Sequence, residues 1–329
     1  MPMHDCYRFA VTRRIGNSMN CEPEIYDYTK RRGIEYARAE GRPLRMTLYL
    51  PGDGGQTSRP GMVLIHGGAW LLGTRYQQAW YCRQFARAGF VVMTIDYRLM
   101  PRYAFPKCLH DCKAAVRWLR LHAEELGVNP VQIVSFGASA GGHLAALLAA
   151  TTPEDGLEGE ANPGASSSIR AAISLYGAVD LTCYRDLPSR GPLSRATTRF
   201  MVDFSGRECV SPPGTTWEKA SPITYANSKT APILFVHGKK DLLVHFEQSR
   251  RFHERLCELN VPTRLIALEK RGHGFDYIHL RERRSIFREM LSFLAEHLEG
   301  ESPAGNEADF SESARAPERK RASGGGAAR

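Results

Sequence analysis

Apolar and polar positions along the chain follow two alternating periods. Seven short stretches, Arg45–Leu50, Gly61–His66, Phe90–Asp96, Val131–Phe136, Ala171–Tyr176, Ile233–His237 and Thr263–Glu269, are rich in β-branched and aliphatic residues. Several are apolar at nearly every position, which predicts strands covered on both faces. Between them lie longer amphipathic stretches, Tyr76–Ala88, Lys107–Leu126, Ala140–Ala150, Phe246–Leu259 and Glu282–His297, which predict helices. Gly89 and Gly127 stand where two of these should stop, as C-terminal caps. Strand and helix alternate from about residue 45 to 299, the pattern of a mostly parallel sheet flanked by helices.

Two stretches break the pattern. Residues 1–44 are rich in Arg, Tyr and Glu with little periodicity, and residues 181–220 carry Pro188, Pro192, Pro212 and Pro213 around one short apolar helix, Arg199–Phe204. The second stretch falls between a strand end and the next strand, the position of insertions that ride over the carboxyl ends of an open sheet, where ligands bind. It is expected to be a cap, with residues 1–44 joining it. Gly52-Asp53-Gly54-Gly55 predicts a turn. From residue 301 the composition becomes Ser, Ala, Gly, Pro, Glu and Arg with Phe310 as the one large apolar side chain, so residues 301–329 are expected to be a disordered tail. The organisation expected is thus an N-terminal segment, a main domain over residues 45–300 with its cap, and a tail.

Composition narrows the function classes. A chain of 329 residues with 43% hydrophobic content can bury a substantial core. The 44 Lys and Arg exceed the 35 Asp and Glu by 44 − 35 = 9, yet they are scattered and no nucleic-acid reading motif accompanies them, so no nucleic-acid partner is expected. The short basic run Arg319-Lys320-Arg321 is a weak import-like patch. No apolar run approaches the roughly 20 residues a membrane-spanning helix needs, and the first residues lack an apolar leader core, so the protein is expected to be cytoplasmic without membrane insertion. Eight cysteines include no CxxC pair, and the spacing of Cys108 and Cys112 is no metal signature, so reduced thiols and no metal are expected.

The sharpest chemical signal is Gly137-Ala138-Ser139-Ala140-Gly141, placed directly after a predicted strand and directly before an Ala/Leu helix. A nucleophile on a strand-to-helix turn needs unusual backbone angles and close neighbours, so small residues must flank it. Upstream, a strand runs into His66-Gly67-Gly68-Ala69-Trp70. Glycines there let the N–H groups of Gly67 and Gly68 face a cavity, and with the N–H of Ala140 they would form an oxyanion hole. A serine hydroxyl needs a base and an orienting acid. Asp241 and His273 each lie in a loop just past a predicted strand, in the order Ser, Asp, His that this architecture uses. His66, His143 and His237 read as structural, and Asp96 as half of an ion pair with Arg98. Trp70 is expected to line the pocket mouth as a substrate-binding residue, with packing beneath the cap as the alternative.

Taken together, His66-Gly67-Gly68-Ala69-Trp70, Asp96-Tyr97-Arg98-Leu99 with Phe105-Pro106, Gly137-Ala138-Ser139-Ala140-Gly141-Gly142-His143, Ala220-Ser221-Pro222, His237-Gly238 with Asp241, and His273-Gly274-Phe275 resemble the α/β-hydrolase superfamily. Within it the set is similar to the esterase/lipase branch that includes hormone-sensitive-lipase-like and feruloyl-esterase-like carboxylesterases, from about Met46 to Leu298. The resemblance implies a Ser139, Asp241, His273 triad, oxyanion donors Gly67, Gly68 and Ala140, a small-molecule ester substrate and no cofactor; the single short apolar helix of the cap and the bulky Trp70 predict a small pocket and a preference for short acyl groups. The chain departs from the hormone-sensitive-lipase pattern at Ala69-Trp70 and at Met100-Pro101-Arg102. Its Gly-Gly-aromatic element also resembles kynurenine formamidases, so N-formyl amide hydrolysis is an alternative, and a non-catalytic ligand-binding member of the fold is a third. The oligomeric state has no signal in the sequence.

Overall fold

The computed structural model describes residues 26–52, 58–184 and 216–298. In chain order these contain strands β1 (Tyr28–Ala39), β2 (Arg42–Pro51) and β3 (Arg59–Ile65), helix α1 (Ala79–Arg87), β4 (Val91–Ile95), α2 (Lys107–Leu121), α3 (Ala123–Leu126), β5 (Val128–Ala138) and α4 (Ala140–Ala150). After β6 (Ala171–Leu175) come α5 (Thr216–Lys219), β7 (Ile233–Gly238), α6 (Glu247–Glu258), β8 (Thr263–Leu268), α7 (Phe275–Ile278) and α8 (Leu280–Leu298). The seven strands and five helices read from periodicity are all present, with boundaries moved by up to three residues. The stretch read as one helix over Lys107–Leu126 divides at His122 into α2 and α3, and Gly127 closes α3 with a φ of 64°.

The described strands form one sheet in the order β1-β2-β4-β3-β5-β6-β7-β8. β2 is antiparallel to both β1 and β4, and every pairing from β4 through β3, β5, β6 and β7 to β8 is parallel. Successive side chains of β3 alternate between two cores, Met62 and Leu64 in one, Val63 and Ile65 in the other. The first core packs α1 and α8 through Phe85, Phe287, Met290 and Phe293; the second packs α2, α4 and α6 through Leu109, Leu144 and Phe252. Full coverage of both faces is why these strands read as continuous apolar runs.

The expectation for residues 1–44 is corrected where the structure describes them. Residues 28–44 belong to the sheet: β1 is an edge strand whose Lys30, Arg31, Arg32, Glu35 and Arg38 pair across to β2 from Tyr28 opposite Pro51 to Ala39 opposite Arg42. Charged side chains on an edge strand discourage pairing with a second sheet, and the same charges hide the strand's alternation from a hydropathy reading. Residues 1–25, the predicted turn from residue 53 to 57, residues 185–215 of the expected cap with its Arg199–Phe204 helix, and the tail from residue 299 onward all lie outside the described residues. No helix among the described residues is long and apolar enough to cross a membrane, and no group of three potential metal ligands occurs among them.

Candidate active site

Ser139 joins β5 to α4 with φ 55° and ψ −121°, a conformation that L-residues rarely adopt. The steric reason for its small neighbours is explicit. A Cβ on Gly137 would stand 2.1 Å from the Gly141 carbonyl oxygen, and one on Gly141 would stand 2.1 Å from the Ile65 carbonyl oxygen. Neither position has room for any side chain, so the turn can form only with glycine at both. The Ser139 N–H donates to the Leu175 carbonyl at 2.8 Å, and the His143 N–H donates to the Ser139 carbonyl at 3.0 Å, which ties the turn to β6 below and α4 above.

His273 and Asp241 reach Ser139 from the loops after β8 and β7. The two loops are held together by their backbones: the Lys239 N–H donates to Leu268 and the Lys240 N–H to Arg271, both at 2.9 Å. His273 Nδ1 lies 2.7 Å from Asp241 Oδ2, and His273 Nε2 lies 2.9 Å from Ser139 Oγ. A carboxylate can only accept, so Nδ1 carries the proton and Nε2 is left to accept from the serine hydroxyl. The base thus already faces the proton it would remove.

Asp241 is buried. Its Oδ1 accepts from the N–H groups of Leu243 and Val244, both at 2.9 Å, and its Oδ2 accepts from His273 and also from His237 Nε2 at 3.2 Å. Burial alone would push this carboxyl up, but the hydrogen bonds from His237, His273 and Val244 together hold it well below the usual carboxylate range. His237 is itself oriented, accepting from the Ser249 hydroxyl at 2.8 Å on Nδ1 and donating to the Val244 carbonyl at 2.9 Å. Read from sequence as a structural strand-end residue, it is structural in a particular way, as a fourth donor on the buried acid.

The loop after β3 lies beside the serine. A Cβ on Gly67 would be 3.4 Å from Ser139 Cβ and 2.8 Å from the Ala138 carbonyl oxygen. Gly68, Ala69 and Trp70 follow one another at φ 114°, 55° and 56°, and the turn is closed by the N–H groups of Leu71 and Leu72 on the Gly68 carbonyl at 3.0 Å. Two consecutive non-glycine residues at positive φ store backbone strain of about 1–3 kcal/mol each, a feature that concentrates at functional loops. Sequence reading missed Ala69 in this respect, because alanine gives no sign of a left-handed conformation. Ala140, the first residue of α4, is buried next to the serine.

Two expectations are corrected here. Trp70 is not at a pocket mouth: it is 4% exposed, and its indole N–H donates to His143 Nδ1 at 3.2 Å while His143 Nε2 donates to the Ala220 carbonyl at 2.6 Å. Burial pushes His143 down to about 4, so it is a neutral bridge between α4, this loop and the end of α5. Asp96 does form an ion pair, but with Arg75, which also donates its backbone N–H at 2.8 Å. Arg98 instead pairs with the buried Asp111 at 2.7 Å and with Glu40. His66 is a packing residue, stacked on Tyr97 at 4.3 Å with Nδ1–H donating to Gly67 at 2.7 Å.

Comparison with known proteins bears on this arrangement. Residues 46–256 match the model of the BD-FAE family. Esterase LipC of Mycobacterium tuberculosis is 31% identical over 67% of this chain and 54% of its own length, and the probable carboxylic ester hydrolase LipM of the same organism is 32% identical over 74% and 55%. The chain therefore spans about half the length of these curated relatives. Among solved structures, esterase 2 of the planctomycete Thermogutta terrifontis with butyrate bound superposes with a TM-score of 0.65 at 29% identity, covering 82% of this chain and 95% of that one. Structures of the same esterase with propionate bound and phosphonylated by sarin give TM-scores of 0.64 and 0.66.

Proposed function

Because the chain belongs to the BD-FAE family and has the α/β-hydrolase fold of esterases, we propose that it is a serine hydrolase of carboxylic esters. The observation that carries this reading is the continuous hydrogen-bonded chain from Ser139 through His273 to Asp241, built on a strained turn that only glycine neighbours permit.

In the proposed cycle Ser139 Oγ attacks the ester carbonyl as His273 Nε2 takes the hydroxyl proton. Asp241 holds the imidazole tautomer and stabilises its charged form. The developing oxyanion is received by backbone N–H groups of Gly67, Gly68 and Ala140, the last at the N-terminus of α4 where the helix dipole favours negative charge. His273 then delivers its proton to the leaving alkoxide, and water, activated by the same imidazole, releases the acid from Ser139. No step requires a metal or organic cofactor. A preference for short acyl groups is supported by the butyrate and propionate found on the Thermogutta terrifontis esterase.

The test is fluorophosphonate labelling followed by hydrolysis of p-nitrophenyl acetate, butyrate, octanoate and palmitate, with N-formylkynurenine in parallel. Labelling at Ser139 and a maximum in kcat/KM at acetate or butyrate are expected. The variant Ser139→Ala should lose labelling and about 10⁶ in turnover, the scale found for a nucleophile in a related triad, with its circular dichroism unchanged. A variant retaining a tenth of the rate removes the nucleophile assignment, and a formyl amide cleaved a hundredfold faster than any ester makes the formamidase reading the better one.

A further inference from the structure

The proposed cycle leaves one buried acid next to the site unused. Asp276 is 1% exposed and lies three residues after His273. Its Oδ1 accepts from the Tyr176 hydroxyl at 2.6 Å. Tyr176 is itself 2% exposed, and its ring centroid lies 4.7 Å from that of His273 at an interplanar angle of 62°. A second ring, that of Phe275, backs it at 5.4 Å.

Two features say that this arrangement is built rather than incidental. Tyr176 adopts φ 38°, an unfavourable backbone conformation for a side chain of its size, directly after β6. The Tyr176 N–H is bonded to the Val236 carbonyl at 2.8 Å, and the preceding Leu175 carbonyl receives the Ser139 N–H, so the residue is fixed to the same backbone that fixes the nucleophile. His273, for its part, stands between Gly272 and Gly274, neighbours with no side chains to brace its ring. Besides the hydrogen bonds to Asp241 and Ser139, the imidazole has the Tyr176 ring against it.

Resting on the triad reading above, we propose that Tyr176, anchored by Asp276, is a positioning residue for His273: it walls the imidazole so that the ring keeps its alignment between Asp241 and Ser139 while the proton moves. In an enzyme a misplacement of about 1 Å at the reacting centre can cost about a hundredfold in rate. The hydroxyl bond to Asp276 sets where the wall stands, and the ring itself supplies it. The two contributions are separable by mutation.

The experiment uses the full chain and the variants Tyr176→Phe, Tyr176→Leu and Asp276→Asn. Active sites are counted by stoichiometric release of p-nitrophenol from a phosphonate ester, and acylation by p-nitrophenyl acetate is then measured per active site in a single turnover. Tyr176→Leu should lower this rate about 10- to 100-fold with KM within about twofold, and Tyr176→Phe and Asp276→Asn should each lower it by less. The imidazole Nδ1–H proton resonance of His273, expected to be sharp in the wild type because Asp241 holds that proton, should broaden by exchange with water in the same order. A merely structural role would lower the melting temperature and the count of active sites while leaving both readouts untouched. If Tyr176→Leu does not fold, Tyr176→Phe and Asp276→Asn decide. Rates per site within twofold of wild type in every folded variant, with an unchanged resonance, overturn the proposal. Ser139→Ala run beside them separates the two readings, since an active Ser139→Ala enzyme would overturn the triad itself.

Discussion

Asp241 shows how much a single residue's role depends on its partners. Its Oδ1 is held by two backbone amides and its Oδ2 faces two imidazole donors. In Asp241→Asn the amide oxygen is therefore directed to the backbone side, and the NH₂ group replaces Oδ2 opposite His273 and His237. A donor facing a donor forces His273 into the other tautomer, with Nε2 protonated and unable to accept from Ser139. Turnover on p-nitrophenyl acetate should fall by about 10³- to 10⁴-fold with KM little changed, and a loss below tenfold would take the acid role away from Asp241. That Ser139, Asp241 and His273 come together was legible in the sequence because each sits in a short motif at a strand end, where the local steric demand is written into flanking glycines. His237 as a donor to the acid and the burial of Trp70 were not legible. The first depends on how the loop after β7 folds back, bringing Val244 and Ser249 onto the His237 ring, and the second on His143, 73 residues away.

At the scale of elements, α4 and β3 approach so closely that backbone touches backbone. The Cβ that Gly141→Ala would add must stand 2.1 Å from the Ile65 carbonyl oxygen, against rigid main chain on both sides. Relief requires moving α4 as a body, and α4 is buried along its whole length between the sheet and α2. Overpacking of this kind costs typically about 1–3 kcal/mol and more where nothing can yield, so Gly141→Ala is expected to lie at or above about 3 kcal/mol. Urea unfolding at constant m measures it. A loss under about 1 kcal/mol would mean that the helix can shift. Elements packed on both sides were the most legible of all, because burial makes their composition uniform, as in β4, β6 and α4. β1 was illegible for the opposite reason: it is an edge strand with intermediate and exposed positions over most of its length, so its charges follow solvent rather than a period.

At the scale of the whole molecule, His143 ties α4 to the loop after β3 and to Ala220 after α5. Its folded value of about 4 lies below the roughly 6.5 of an unfolded histidine. The unfolded chain therefore binds the proton first, and stability that is complete above about pH 6.5 is lost as pH falls towards 4, by roughly 3 kcal/mol over the full window. Unfolding free energies at pH 7.5 and pH 5 should differ in that direction, and His143→Gln should flatten the difference; an unchanged slope in the variant would place the pH sensitivity elsewhere. The strand order carries a different consequence, one of timing. From β5 onward each strand pairs with the strand made just before it, β6 on β5, β7 on β6 and β8 on β7, so the sheet can grow at one edge in the order in which a ribosome delivers the chain. Ser139 emerges 134 residues ahead of His273. The Ser139 N–H finds its Leu175 acceptor only once β6 is made, and its hydroxyl finds the His273 imidazole only when the loop after the last strand arrives.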